Sequence, residues 1–159
     1  MGLDVTHGCW RGAYSAFNRW RCKLAEVAGI PLELMEGFYR PPNEESVRWI
    51  APGENGNGPV CKSYHGPYLH GWVGNVTPWL PIRWEVLKED ILHVLLNHSD
   101  CDGDIRACDC EPLARRLEGL LPLLEGEDMG HVGNYRKKTQ TFIDGLRRAV
   151  AANEDVRFD

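Results

Sequence analysis

Three features of this 159-residue chain predict an α/β or α+β fold with a small mixed sheet and about three helices packed on it. Two short strand-like segments, Leu3 to Val5 and Ile91 to Asn97, each run into a helix. Three stretches carry apolar residues at helical spacing. Residues 37–84 form a long loop-rich, aromatic-rich insert in which apolar periodicity is lost. The length fits a single domain, 1–159, large enough to bury a core without metal or disulfide staples.

Leu3 and Val5 alternate with Asp4 and Thr6, as in a strand with one buried face. A turn at His7-Gly8 hands over to an amphipathic helix, in which Trp10, Tyr14, Phe17, Leu24 and Ala28 keep helical spacing and which Gly29 and Pro31 stop. In the insert, Pro41-Pro42, Gly53 to Pro59 and Gly66-Pro67 punctuate turns. Val47 to Ile50 and His70 to Val73 are its best strand candidates, and Gly53 to Gly58 reads as an exposed flexible tip.

Val86 to Leu96 fits either period, and the reading adopted is a helical turn at Glu85 to Asp90 followed by a strand from Ile91 to Asn97. The next helix has Asp109 as N-cap, Pro112 in its first turn, and Leu113, Leu117, Leu120, Leu121 and Leu124 as its buried stripe. Gly126 to Gly133 is a loop. A last helix, Tyr135 to Ala152, buries Phe142, Ile143, Leu146 and Val150, and Val156 to Phe158 adds an edge strand. If the two leading strands lie parallel, His7 and His98 emerge as neighbours at the carboxyl edge where α/β folds bind ligands.

A formal charge of −5 argues against a nucleic-acid partner, which demands a basic face. No apolar stretch is long enough for a membrane helix and the start lacks the regions of a signal peptide, so the expected location is the cytoplasm. Met1-Gly2 with Thr6 supplies only part of a myristoylation pattern. Six cysteines without a secretory context predict reduced thiols.

Residues 97–110, Asn-His-Ser-Asp-Cys-Asp-Gly-Asp-Ile-Arg-Ala-Cys-Asp-Cys, hold the densest set of potential ligands. His98, Asp100, Asp102, Gly103 and Asp109 echo a calcium loop, but position one is not aspartate and position twelve lacks the bidentate glutamate. His98, Asp100, Asp102 and Asp104 would be the ligands of a divalent metal; the run resembles the first motif of the DHH phosphoesterases, whose further motifs are missing here. Zinc through Cys101, Cys108, Cys110 and His98 lacks a Cys-x-x-Cys knuckle. The structural alternative is a tight turn, with aspartates capping amides and Gly103 at positive φ.

Tyr135, Arg136, Lys137 and Lys138 open the last helix, where cations oppose the macrodipole unless an anion joins them, which suggests phosphate capture; a solvated basic face is the alternative. Tyr39, Arg40, Tyr68 and Trp72 are the insert's candidates for stacking on a nucleobase, against the alternative of packing a loop-rich core. No Gly-x-Ser-x-Gly elbow is present.

The opening Met-Gly-Leu-Asp-Val-Thr-His-Gly-Cys-Trp-Arg-Gly-Ala-Tyr-Ser-Ala-Phe-Asn-Arg-Trp-Arg, the central Leu-Leu-Asn-His-Ser-Asp-Cys-Asp-Gly-Asp-Ile and the Thr-Phe-Ile-Asp-Gly-Leu helix resemble small proteins of tailed phages and their bacterial hosts. The resemblance spans most of the chain and carries no assigned activity. It implies an anti-defence context: small phage proteins sequester cyclic-nucleotide or ADP-ribose-derived immune signals through stacking, phosphate contacts and acidic groups on ribose hydroxyls. The expectation is therefore a non-catalytic sponge for a nucleotide-type small molecule in an infected bacterium, needing no cofactor and compatible with a homo-oligomer. The alternatives are a metal-dependent phosphoesterase using His7, His98, Asp100, Asp102 and Asp104, and a protein-binding inhibitor of a host enzyme whose aromatic insert docks on its target.

Overall fold

The computed structural model describes residues 2–30, 32, 35, 50–52, 59–61, 84–87, 89–128 and 132–159. In chain order the elements are β1 (Leu3–Val5), β2 (Trp10–Gly12), α1 (Tyr14–Ala28), β3 (Ile50–Pro52), β4 (Pro59–Cys61), α2 (Leu92–Leu96), β5 (Asp104–Ile105), α3 (Ala107–Leu120), β6 (Glu127–Asp128), β7 (Gly133–Asn134), α4 (Tyr135–Ala152) and β8 (Val156–Arg157). The fold is α+β: four α-helices with two-stranded antiparallel sheets, among the described residues. No helix described is long and apolar enough to cross a membrane. The chain forms two compact units, residues 1–27 with 89–159, and residues 28–88.

In the first unit β1 and β2 form a hairpin, with Leu3 opposite Gly12, Asp4 opposite Arg11 and Val5 opposite Trp10. His7 and Gly8 both take positive φ, 57° and 65°, and the Cys9 amide donates to the Thr6 carbonyl at 3.2 Å. This is the mirror-image turn whose twist matches paired strands. It corrects the predicted helix start: Trp10 lies in β2, because the turn folds the chain back on β1, and the helix begins at Tyr14.

The predicted strand from Ile91 to Asn97 is also corrected, since Leu92 to Leu96 is a helix. Leu92, Leu95 and Leu96 are buried, at helical spacing. Asp90 starts it: its carboxylate accepts from the Leu92 amide at 3.0 Å and its carbonyl from the His93 amide at 3.0 Å. The same carboxylate, with no side-chain exposure, takes a forked grip from Arg116 at 3.0 to 3.2 Å, which ties α2 to α3.

The segment from residue 156 closes the unit, as the predicted edge strand. β8 pairs with β5, Asp104 opposite Arg157 and Ile105 opposite Val156. Phe158 bridges to Val5, and Asp4 and Asp159 exchange backbone hydrogen bonds at 3.1 and 3.0 Å. Among the described residues all the pairings are antiparallel, and Ile91 to Asn97 is not a strand, so the parallel arrangement that would have made neighbours of His7 and His98 is absent there.

Helix α3 begins two residues before the predicted cap. Arg106 is its N-cap and Asp109 stands in the first turn, bonded to the Arg106 side chain at 3.0 Å. The acceptor for the Ala107 amide is the Asp155 carboxylate, at 2.7 Å, brought from the far end of the unit. Pro112 consequently lies deeper in the helix than predicted. Leu113, Leu117, Leu120 and Leu124 are buried as expected, while Leu121 is half-buried.

Helix α4 runs over the predicted residues and buries Phe142, Ile143 and Leu146. Val150, expected in the stripe, is 39% exposed because the neighbouring Ala149 takes the inward position. The predicted loop before α4 contains the short β6–β7 ladder, Glu127 opposite Asn134 and Asp128 opposite Gly133.

The core gathers Trp10, Phe17, Trp20 and Phe142, with ring centroids 4.8 to 5.6 Å apart between neighbours. Trp20 Nε1 donates to Thr139 Oγ1 at 2.8 Å, and that hydroxyl donates to the Tyr135 carbonyl at 2.9 Å, so the buried indole is satisfied.

In the second unit β3 and β4 pair antiparallel, with Ile50 opposite Cys61 and Pro52 opposite Pro59. Ile30, Leu32, Met35, Trp84 and Leu87 are buried, and the predicted helical turn appears as a 3-10 segment, Trp84–Leu87. Residues 47–49 and 70–73 of the two strand candidates, and the 53–58 tip, lie outside the described residues.

Candidate functional site

The 97–105 segment is organised by a buried arginine. Arg21, on α1, is 5% exposed; its Nη1 donates to the carbonyls of His98 and Leu96, the latter at 3.5 Å, so the guanidinium covers the carboxyl end of α2. Its face lies on the Phe17 ring, 4.9 Å from the centroid. Burial pushes the Arg21 guanidinium below its usual range, and the nearby Asp100 carboxylate opposes this.

His98 stacks on Phe158 with centroids 4.0 Å apart, and its Nδ1 lies 2.6 Å from the Ser99 carbonyl oxygen. Gly103 has φ 96°, and a Cβ there would lie 3.3 Å from the His98 ring, so glycine provides both the turn and the space for the imidazole. The Gly103 carbonyl accepts from the Phe158 amide at 3.0 Å. Asp102 is exposed, and Asp104 faces Arg157 at 3.8 Å. Among the described residues no three His, Cys, Asp or Glu side chains converge as metal ligands would.

His7 lies elsewhere, in the wall of an open cleft of about 480 Å³ lined by Thr6, His7, Asn153, Glu154, Asp155 and Arg157. Two backbone features build it. The β1–β2 turn presents His7, and Asn153 ends α4 in the left-handed conformation, φ 54° and ψ 45°, with its amide bonded back to the helix carbonyls. His7 and Asn153 are the only non-glycine residues at positive φ among those described. The His7 ring, 15% exposed, has Nε2 at 3.4 Å from the Glu154 carboxylate, which is 65% exposed.

Hydrogen bonds fix the rest of this wall. Arg148 Nε donates to the His7 carbonyl at 2.8 Å, and the Arg157 amide donates to Thr6 Oγ1 at 2.9 Å. Asp155 is held by its cap on α3. Hydrogen bonds therefore hold Thr6, Asp155 and the His7 backbone, while the Glu154 carboxylate is exposed.

The predicted basic patch does not converge. Asn134 Oδ1 accepts from the Lys137 amide at 2.9 Å, so part of the helix start is already capped. Arg136 Nε donates to the Leu121 carbonyl at 3.0 Å, Lys138 lies over the Trp10 ring at 4.7 Å, and the Lys137 side chain is exposed. Tyr135 lines a second, shallower cleft, also of about 480 Å³, with Arg19, Cys22, Lys23 and Asp128. Its cations are paired, Arg19 with Asp128 at 3.1 Å and Lys23 with Glu26 at 3.1 Å, and Glu127, also on its wall, accepts from the Asn134 side chain at 3.3 Å.

Tyr39, Arg40, Tyr68 and Trp72 lie outside the described residues. Sequence reasoning missed Glu154, Asp155 and Arg157, although asparagine directly after a long helix was a readable cap signal. Cys9, Cys22, Cys101, Cys108 and Cys110 are free thiols. Burial pushes the Cys9 thiol up to about 12 and the Cys110 thiol up to about 11, which makes both poor nucleophiles.

No family model, curated protein or solved structure matches the chain.

Proposed function

We propose that the protein is a non-catalytic binder of a small nucleotide-derived ligand, acting as a phage anti-defence sponge in the cytoplasm of an infected bacterium, and that the His7–Glu154 cleft is part of its site. The observation that carries the reading is the backbone of His7. A helix C-cap accounts for Asn153, but the turn position of His7 suits glycine or asparagine better, and holding a histidine there costs roughly 1 kcal/mol. The turn itself does not require an imidazole at that position, and in the cleft the ring meets the exposed Glu154 carboxylate at 3.4 Å. A ligand that uses the imidazole gives the residue a reason to be there.

The test is His7→Gly. Cyclic nucleotides and ADP-ribose derivatives are screened by thermal shift, and whatever co-purifies from an infected host is released by heat and identified by mass spectrometry. The expected result is a nucleotide recovered intact from the native protein, and a His7→Gly variant with equal or higher thermal stability that binds it at least about tenfold more weakly. Failure of every nucleotide to shift the melting temperature or to be recovered overturns the reading and leaves the protein-binding inhibitor as the better one; unchanged affinity in His7→Gly removes this cleft from the site.

A further inference from the structure

The charge arrangement of the cleft says which part of a ligand it takes. Two of its lining residues are carboxylates, Glu154 and Asp155, and one is a cation, Arg157. That cation is already faced by Asp104 at 3.8 Å, and Arg148, beneath the turn, is occupied with the His7 carbonyl. A phosphate entering here would meet two carboxylates against one lining cation, Arg157, which already faces Asp104, and this net negative wall disfavours it.

Hydroxyl groups meet the opposite situation. The Glu154 carboxylate is 65% exposed, and its two oxygens can accept from two adjacent hydroxyls in charge-assisted bonds. Thr6 Oγ1, which accepts from the Arg157 amide, keeps its own proton to donate. The imidazole of His7, at 3.4 Å from Glu154, supplies an apolar face beside the acid and one further donor or acceptor.

We infer that this cleft binds the vicinal hydroxyls of a sugar and leaves any phosphate outside it. The inference rests on the ligand-binding reading above and narrows it: for a nucleotide whose ribose keeps both hydroxyls free, as in an ADP-ribose derivative, the cleft is the ribose subsite, whereas a 3′,5′-cyclic nucleotide lacks the pair. The same chemistry would accept a free sugar, and the experiment separates the two sources.

Backbone amides of the full chain are followed by NMR while adenosine monophosphate, its deoxyribo counterpart, D-ribose and inorganic phosphate are added singly. Adenosine monophosphate is expected to shift the amides of residues 6–8 and 153–155. The deoxyribo counterpart, lacking one hydroxyl of the pair, should bind at least about tenfold more weakly, since a site built around a hydroxyl discriminates strongly against its loss. Ribose should shift the same amides at higher concentration, and phosphate should not. Glu154→Gln, at an exposed position where folding is undisturbed, should weaken adenosine monophosphate by about tenfold.

Ribose binding as tightly as the nucleotide would assign the cleft to free sugars and keep the inference. Phosphate alone shifting these amides, equal binding of the deoxyribo compound, or Glu154→Gln without effect overturns it. Nucleotide binding that shifts only other amides overturns the inference while leaving the ligand-binding reading intact. No shift with any of the four also overturns the inference, and the heat-release experiment then decides the broader reading independently.

Discussion

Replacing Gly145 by alanine should destabilise the protein, against the ordinary expectation for a helical glycine. Gly145 is buried in α4 where the helix crosses the chain just after the His7 turn. A Cβ placed there would lie 2.5 Å from Cys9 Sγ, 2.7 Å from Cys9 Cα and 2.8 Å from the Cys9 amide nitrogen. The sulfur can swing aside, but two of the three atoms are backbone, held by the hairpin and by the Cys9 to Thr6 bond. Overpacking of this kind costs about 1–3 kcal/mol and more when backbone must move, whereas alanine recovers about 1 kcal/mol of helix propensity. With backbone on the receiving side the upper part of that range applies, leaving a net loss of about 2 kcal/mol. Gly119 in α3 supplies the control, since a Cβ there meets nothing within 4 Å, and Gly119→Ala should stabilise by about 0.5–1 kcal/mol. Urea unfolding followed by circular dichroism reads both, with melting temperatures moving about 2–4 °C per kcal/mol in opposite directions. A neutral or stabilised Gly145→Ala would refute the close approach of Cys9 to α4, and with it the placement of the His7 turn against that helix.

Three further outcomes can be checked on the same unit. Asp90→Ala removes the forked contact to Arg116 and the acceptor for the Leu92 amide together, and should cost about 3 kcal/mol in urea unfolding; a loss below about 1 kcal/mol would show that α2 does not depend on this residue. The raised thiols of Cys9 and Cys110 favour the folded state as long as both stay protonated. Their contribution is fully present below about pH 9, the usual thiol value, and is lost as pH rises toward about 12. Stability should accordingly decline above pH 9, with a shallower decline in Cys9→Ala. At pH 8 a disulfide reagent should modify the exposed Cys101 and Cys108 well before Cys9 or Cys110.

Elements that repeat their apolar spacing over several turns were legible in the sequence. Helix α4 spans the predicted residues, and Leu113, Leu117 and Leu120 of α3 are buried with Leu124 just beyond it, although the helix ends at Leu120 and a 3-10 turn, Leu121–Leu123, follows. Misreadings arose where an element is short or where its partner is distant. Leu92 to Leu96 covers little more than one helical turn, too few residues for helical and strand periods to separate. What decides the matter is Asp90, fixed by Arg116 from a helix 26 residues further on. The start of α3 was misplaced for the same reason: Asp109 is a sound local cap candidate, yet the amide of Ala107 is taken by Asp155, 48 residues away. Trp10 was read into a helix because its aromatic spacing fits one, while a turn with two positive-φ residues sends it back along β1.

The same distinction explains which part of the cleft was visible in advance. His7 could be picked out because His-Gly is a local turn signal. Glu154, Asp155 and Arg157 could not, because nothing near them in sequence refers to the first strand. They reach His7 through the β5–β8 pairing, the Val5 to Phe158 bridge and the exchange between Asp4 and Asp159. Each wall therefore takes its position from contacts that only the folded chain makes, and several are the contacts that stabilise it: Asp155 lines the cleft and caps α3, while Thr6 lines it and takes the Arg157 amide. Substitutions at those two residues would confound binding with folding. The side chains of His7 and Glu154 meet each other at the cleft, so affinity can be changed at these two positions while stability, measured alongside, serves as the internal control.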